Sequence, residues 1–291
     1  MRKYLQVIVF SLLLSLSPFQ LLLAEQDFSG IYSQAMLSND AYLSLDELEL
    51  ALSEQNQVLL HKATIQSSQV NYFISEAAGV HTIGVRGTAN LENVMLDLSV
   101  SLQSDSLLNI KLHQGFSGGA KAVYDDIKPY LSIDKPIHLT GHSLGGAIAV
   151  VLGMYLTQEG YQVEQIITFG QPKVTNVTGA EQFKTLPLIR VVTPHDIVPL
   201  VPPLSPLQIQ ELDIYWHMGV EVILMEGGKY SETSGIKSAM RATKFTSSIP
   251  SEKNLVAHKM TTYLTLINAL RASSEEVPYK TEISLFGFSL D

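Results

Sequence analysis

Apolar residues recur three and four positions apart along FSGIYSQAMLSNDAYLSLDELELALSEQ, from Phe28 to Gln55, and predict two successive helices. After Gln55 the period changes. Short β-branched runs predict strands at Val70–Ser75, Gly79–Gly87, Asn109–His113, Pro136–Thr140, Glu164–Gly170, Leu188–Thr193 and Gly219–Met225. Helical patterns fall between them at Gly118–Leu131, Leu144–Gln158 and Gln182–Thr185, and a long helix is expected near Leu255–Arg271. Strands that alternate with helices predict an α/β fold: a mostly parallel central sheet with helices on both faces. Between residues 25 and 272 there is no internal repeat, low-complexity tract or Pro/Ser-rich linker, which predicts a single domain over 25–291. The closing stretch 273–291 differs in character. TEISLFGFSL alternates polar and apolar residues, as an added edge strand or a C-terminal extension would.

The first segment reads apart from the rest. Arg2 and Lys3 precede an apolar run, Tyr4 to Leu23, that ends in LLLA. This is the pattern of a signal peptide over residues 1–24, cut after Ala24, and it predicts an exported protein, periplasmic or secreted. The alternative is an uncleaved membrane anchor, against which Pro18, Gln20 and the interspersed serines argue. Loss of that segment leaves 17 basic against 28 acidic residues, a formal charge of −11. No basic cluster interrupts the acidic balance, so nucleic acid is excluded as a partner, and no obligate protein partner is evident. The chain has no cysteine. That removes a disulfide scaffold and a thiol nucleophile from consideration, and no spacing implies a metal site or a cofactor.

Against this background PIHLTGHSLGGAIAVVLG, Pro136 to Gly153, has a specific meaning. A short apolar strand runs into G-x-S-x-G and then into a helix that is apolar almost all round. Either Ser143 merely caps the helix, or it is raised on a sharp turn as a nucleophile at the carboxyl end of the sheet, where ligands bind. At a helix amino terminus the Leu144 N–H is placed to stabilise a developing oxyanion. An alkyl hydroxyl needs a base, and the base needs an orienting carboxylate, which on such sheets follow in the order Ser, Asp, His. Asp196 lies beyond a strand that ends at Thr193; Asp213, its rival, lies just before a strand. His258 precedes the last helix and is favoured as base, with His217 second. His142 and His195 flank the site, and the remaining histidines read as packing or surface groups.

Taken together, IGVRGT (Ile83–Thr88), LHQGF (Leu112–Phe116), HLTGHSLGGA (His138–Ala147), TFGQPKVTN (Thr168–Asn176), RVVTPHDIVPLVPP (Arg190–Pro203), HMGVEV (His217–Val222) and HKMTTYL (His258–Leu264) resemble, in order, the class 3 lipases, the fungal-lipase-like branch of the α/β-hydrolases. The resemblance implies an α/β-hydrolase fold with Ser143, Asp196 and His258 as catalytic triad, and Thr88 with Leu144 as oxyanion hole. It further implies a lid after Thr88, where Leu91, Val94, Met95 and Leu98 stand at helical spacing; Val94 stands where the fungal enzymes often carry tryptophan. The expected activity is that of a secreted serine carboxyl-ester hydrolase acting on acyl lipids, as a triacylglycerol lipase does, at a lipid–water interface and without a cofactor. Phospholipase A1 and short-chain or aryl esterase activity are the alternatives on the same fold. A non-catalytic lipid- or ligand-binding protein of hydrolase fold is the remote one.

Overall fold

The structure, a computed structural model, describes residues 26–88, 102–203, 208, 210, 213–242, 251–280, 284–285 and 288–289. Its strands in chain order are β1 (Val58–Ile65), β2 (Val70–Ala77), β3 (Val80–Val85), β4 (Leu102–Asp105), β5 (Ile110–His113), β6 (Ile137–His142), β7 (Val163–Phe169) and β8 (Thr175–Asn176). There follow β9 (Leu188–Val192), β10 (Tyr215–Trp216), β11 (Val220–Met225), β12 (Lys229–Thr233), β13 (Glu275–Glu276), β14 (Ser284–Leu285) and β15 (Phe288–Ser289). The helices are α1 (Phe28–Asp40), α2 (Leu45–Glu54), α3 (Gln114–Ile127), α4 (Leu144–Gln158), α5 (Val177–Gln182), α6 (Gly235–Ala242), α7 (Glu252–Ala257) and α8 (Met260–Ala272).

The main sheet has the order β1-β2-β3-β6-β7-β9-β11-β12-β13. Its centre, β3-β6-β7-β9-β11, is parallel, and β1, β2 and β12 join antiparallel at the flanks. A smaller antiparallel sheet, β10-β8-β5-β4, stands beside it. The central strands are apolar on both faces because both are covered. On β7, Ile166 enters the cluster with α3 and α4, while Ile167 and Phe169 enter the cluster with α1 and α8. This is the α/β architecture expected from the alternation of strands and helices.

α4 runs through the larger cluster with every residue from Gly145 to Leu156 buried, which is why its sequence lacks a polar face. α1 and α2 form as expected, the first capped by Asp27 and the second by a capping box of Ser44 with Glu47.

Three expectations are corrected. The helix placed at Gln182–Thr185 is instead α5, which starts where the Asn176 side chain accepts from the Gly179 N–H and ends at Gln182. The helix placed at Gly118–Leu131 is α3, which starts at Gln114 and passes at Lys128 into a 3-10 turn. The long helix near Leu255–Arg271 is two helices. Ser251 caps α7, and extended backbone at Lys259 separates α7 from α8, so His258 stands at the break. β1 has no counterpart among the expected strands; it is an edge strand with a register shift between Leu59 and His61. In the closing stretch, β13 pairs with β12, and β14 with β15 makes a separate hairpin. Residues 1–24 lie outside the described residues.

Candidate active site

β6 ends at His142 and α4 begins at Leu144, so Ser143 alone makes the turn between them. It takes φ 57° and ψ −128°, a left-handed conformation that costs a residue with a Cβ about 1–3 kcal/mol. The surroundings hold it there. Its N–H donates to the Phe169 carbonyl at 2.8 Å, and its carbonyl accepts from Ala147. Two glycines permit the turn by close approach. A Cβ on Gly141 would lie 2.5 Å from the Gly145 carbonyl carbon, and one on Gly145 would lie 2.2 Å from the Val85 carbonyl oxygen. The Ser143 side chain does not cap α4, so the capping alternative is not what the turn serves. Its Oγ is buried and has no hydrogen-bond partner among the described residues.

The segment after β3 passes directly beside this turn. A Cβ on Gly87 would lie 2.4 Å from the His142 carbonyl oxygen and 3.3 Å from the Ser143 Cβ. Thr88 is the next residue and is half-buried. The Leu144 N–H belongs to the first turn of α4, where backbone donors are free and the helix dipole favours negative charge. Leu91, Val94, Met95 and Leu98 fall in residues 89–101, outside the described residues.

Asp196 lies in the loop beyond β9 and is fully buried. Its Oδ2 accepts from His258 Nδ1 at 2.8 Å and from the Tyr263 hydroxyl at 2.6 Å, and its Oδ1 accepts from the Val198 N–H at 2.9 Å. Burial pushes the carboxyl up, but the His258 charge and these three hydrogen bonds outweigh it and hold the group below the ordinary carboxylate range. The pair sits against the turn of Gly170, where a Cβ would lie 2.7 Å from Asp196 Oδ2 and 3.0 Å from the His258 ring. Since Nδ1–H is committed to the carboxylate, Nε2 is the basic nitrogen of the His258 ring. Gly170 follows Phe169, whose carbonyl holds Ser143, so the imidazole and the serine turn flank the same end of β7.

The Asp196 loop is clamped from below. Lys173 Nζ donates to the carbonyls of Leu200 (2.5 Å) and Pro202 (2.8 Å), and His217 Nε2–H donates to that of Pro199 at 2.7 Å. Burial pushes Lys173 down to about 7, with Arg241 and Arg190 acting in the same direction. Both arginines converge on Glu221, at 2.7 Å and 3.3 Å, and all three are buried. Asp213 instead pairs with Lys111 and accepts from Asn176 Nδ2. Of the two rival pairs, the structure brings Asp196 and His258 together and leaves Asp213 and His217 elsewhere. His195 is exposed, and its carbonyl accepts from Asn254. Tyr263 and Lys173 had no signal in isolation. Tyr263 stands in HKMTTYL, five residues after His258, on the first turn of α8. Among the described residues no group of three or more His, Asp or Glu side chains is arranged to hold a metal ion.

Comparison with known proteins bears on the family and the fold. Residues 82–205 match the model of the lipase (class 3) family, a span that includes Thr88, Ser143, Leu144 and Asp196 and stops before His258. The "Secreted mono- and diacylglycerol lipase 1" of Fusarium solani is 31% identical over 138 residues, 42% of this chain and 39% of that protein. A lipase of Rhizopus niveus is 33% identical over 133 residues, 41% of this chain and 34% of that protein. The matched part thus spans less than half the length of these curated relatives. Among solved structures, the lipase of Rhizopus microsporus var. chinensis superposes with a TM-score of 0.58 at 25% identity, covering 67% of this chain and 74% of that one. The likeness to class 3 lipases first seen in the motifs therefore extends to sequence and fold.

Proposed function

We propose that this α/β-hydrolase is an exported serine carboxyl-ester hydrolase of lipase type, with Ser143, Asp196 and His258 as its catalytic triad. The observation that carries the reading is the buried Asp196–His258 hydrogen bond of 2.8 Å beside a serine held at positive φ, its Oγ unpartnered among the described residues. On substrate engagement His258 Nε2 accepts the Ser143 proton as Oγ attacks the ester carbonyl carbon. The N–H groups of Thr88 and Leu144 receive the oxyanion. The C–O bond then breaks, His258 returns the proton to the departing alkoxide, and an alcohol leaves. Water attacks the acyl-enzyme with His258 again as base, releasing the fatty acid and restoring the Ser143 hydroxyl. Asp196 stays ionised throughout and steadies the imidazolium, as its lowered pKa supports.

The substrate class follows from the class 3 lipase likeness: an acyl lipid whose ester bond meets the site at a lipid–water interface. Export is part of the proposal, supported by the sequence of residues 1–24 and by the secreted Fusarium relative. The test is a panel of triacylglycerols of rising chain length, a diacyl phospholipid and a soluble nitrophenyl ester, run on purified wild type. Hydrolysis of triacylglycerols, rising once substrate exceeds its solubility, supports the lipase reading. Preference for the phospholipid or for the soluble ester moves the activity to phospholipase A1 or esterase. No turnover, together with no labelling by a fluorophosphonate, leaves a binding protein and refutes the proposal.

A further inference from the structure

A residue that precedes the family-matched span by 40 positions touches the site machinery. Tyr42 follows α1, and its hydroxyl lies 2.9 Å from His142 Nδ1. The other ring nitrogen of His142, Nε2, lies 2.7 Å from the carbonyl oxygen of His258. Gly87 packs against the Tyr42 hydroxyl from a third side. The Tyr42 hydroxyl is also what a Cβ on Gly87 would meet, at 2.6 Å.

Donor and acceptor chemistry leaves one proton arrangement for this file. A carbonyl only accepts, so His142 Nε2 carries the proton and donates to His258. Nδ1 then holds a lone pair and accepts from the Tyr42 hydroxyl. Every member is satisfied only if His142 is neutral and Tyr42 protonated. Burial favours both states: it pushes His142 down to about 3, with the His258 and Asp196 charges acting in opposite directions, and Tyr42 up to about 12. The His142 and His258 rings lie 4.4 Å apart, and Arg86 covers the Tyr42 ring at 5.5 Å.

The two ends of this file are the segment that presents Thr88 and the backbone of the proposed base. We infer that Tyr42 and His142 are positioning residues, which fix the Gly87–Thr88 peptide and the His258 backbone relative to each other through the packing of Gly87 on the Tyr42 hydroxyl and the hydrogen bonds that run from Tyr42 through His142 to the His258 carbonyl. The inference deepens the hydrolase reading and rests on it. It gives the residue that follows α1 a part in the geometry of the site. His142 has no free nitrogen for a proton-transfer role: both are engaged, and the ring is buried.

The test uses the full chain and a soluble nitrophenyl ester. Tyr42→Phe keeps the ring and removes the hydroxyl, so Gly87 loses a packing contact and His142 a hydrogen-bond partner. It is expected to lower kcat about tenfold or more with KM within about twofold, because a misplacement of about 1 Å is worth up to about a hundredfold. His142→Leu is expected to lose more. His142→Gln, whose side-chain N–H reaches toward the His258 carbonyl, is expected to recover at least about tenfold over the leucine variant. Unchanged kcat in Tyr42→Phe, a loss carried by KM, or equal losses in the two His142 variants would overturn the inference. Should the leucine variant fail to fold, Tyr42→Phe decides alone. A separate reading on wild type is the ¹⁵N spectrum of its histidines at pH 7. It is expected to show His142 as the Nε2–H tautomer, and the Nδ1–H tautomer would overturn the arrangement. If wild type neither turns over ester nor reacts with a fluorophosphonate, the hydrolase reading fails, while the spectrum still decides the hydrogen-bond file.

Discussion

Gly145→Ala adds one methyl group at the point where the helix behind the serine meets the strand that leads to Thr88. The new Cβ would stand 2.2 Å from the Val85 carbonyl oxygen, 2.7 Å from the Arg86 carbonyl carbon and 2.8 Å from the Gly87 nitrogen. All three are backbone atoms on successive peptides, so no side-chain rotation relieves the overlap. Ordinary carbon contacts begin near about 3.5 Å, so the two backbones must part by roughly 1 Å. Either α4 withdraws from a core in which its residues are fully buried, or the segment carrying Thr88 moves away from Ser143. The first route strains the core by about 1–3 kcal/mol, the usual cost of overpacking. On the proposed mechanism the second takes the Thr88 N–H out of an oxyanion donor's range of about 2.7–3.1 Å, and one such donor is worth about 10²–10³ in kcat. The expected outcome is a folded protein whose kcat on a soluble ester falls by about 10² or more with KM little changed. Thermal melting followed by circular dichroism, run beside the kinetics, separates the two routes. A variant with kcat within about threefold of wild type and an unchanged melting temperature would refute the packing argument.

Other substitutions probe other parts of the account. Asp196→Asn leaves a near-isosteric group that no longer fixes the imidazole tautomer, and kcat should fall about 10³–10⁴-fold with the fold retained, while Asp213→Asn, which only loosens contacts to Lys111 and Asn176, should keep turnover within about threefold. Glu221→Gln removes the shared carboxylate of two buried arginines, so stability should drop by about 3–5 kcal/mol in denaturant titrations; a loss under about 1 kcal/mol would contradict the pairing. For Lys173 the folded pKa, about 7, lies below its ordinary value, so between pH 7 and 9.5 the unfolded chain binds more protons and this group makes stability rise with pH. Lys173→Met should therefore flatten that rise by up to about 3 kcal/mol relative to wild type, and parallel pH profiles would contradict the assigned protonation.

What could be read from the sequence depended on how local its cause was. α4 has the same boundaries in both readings, because its apolar surface and the two flanking glycines are properties of a single stretch. The pairing of Asp196 with His258 was within reach because Asp196 follows a strand pattern that ends at Thr193 and His258 lies at the last helical pattern. The break at His258 was not. The pattern from Leu255 to Arg271 is continuous, and only the extended backbone at Lys259, beside the carbonyl that His142 holds, divides it. β1 was missed because an edge strand need not alternate; its Val58 is exposed, and its register shifts after Leu59. Lys173, Arg190, Glu221 and Arg241 read as surface charges in a linear sequence. Their burial is intelligible only once Glu221 stands between two arginines and the Lys173 ammonium meets two carbonyls, partners up to 31 positions apart along the sequence. Tyr42 lies about a hundred residues before His142, and nothing local marks it.

The most direct test of the central claim is the rate at which a fluorophosphonate labels wild type and Ser143→Ala, with the modified residue located by peptide mass spectrometry and ester hydrolysis measured on the same preparations. The account predicts one label per chain, on Ser143, and a loss of labelling together with several orders of magnitude in kcat in a variant that melts as wild type does. A Ser143→Ala protein that still hydrolyses ester at a comparable rate, or a label on another residue, would contradict it.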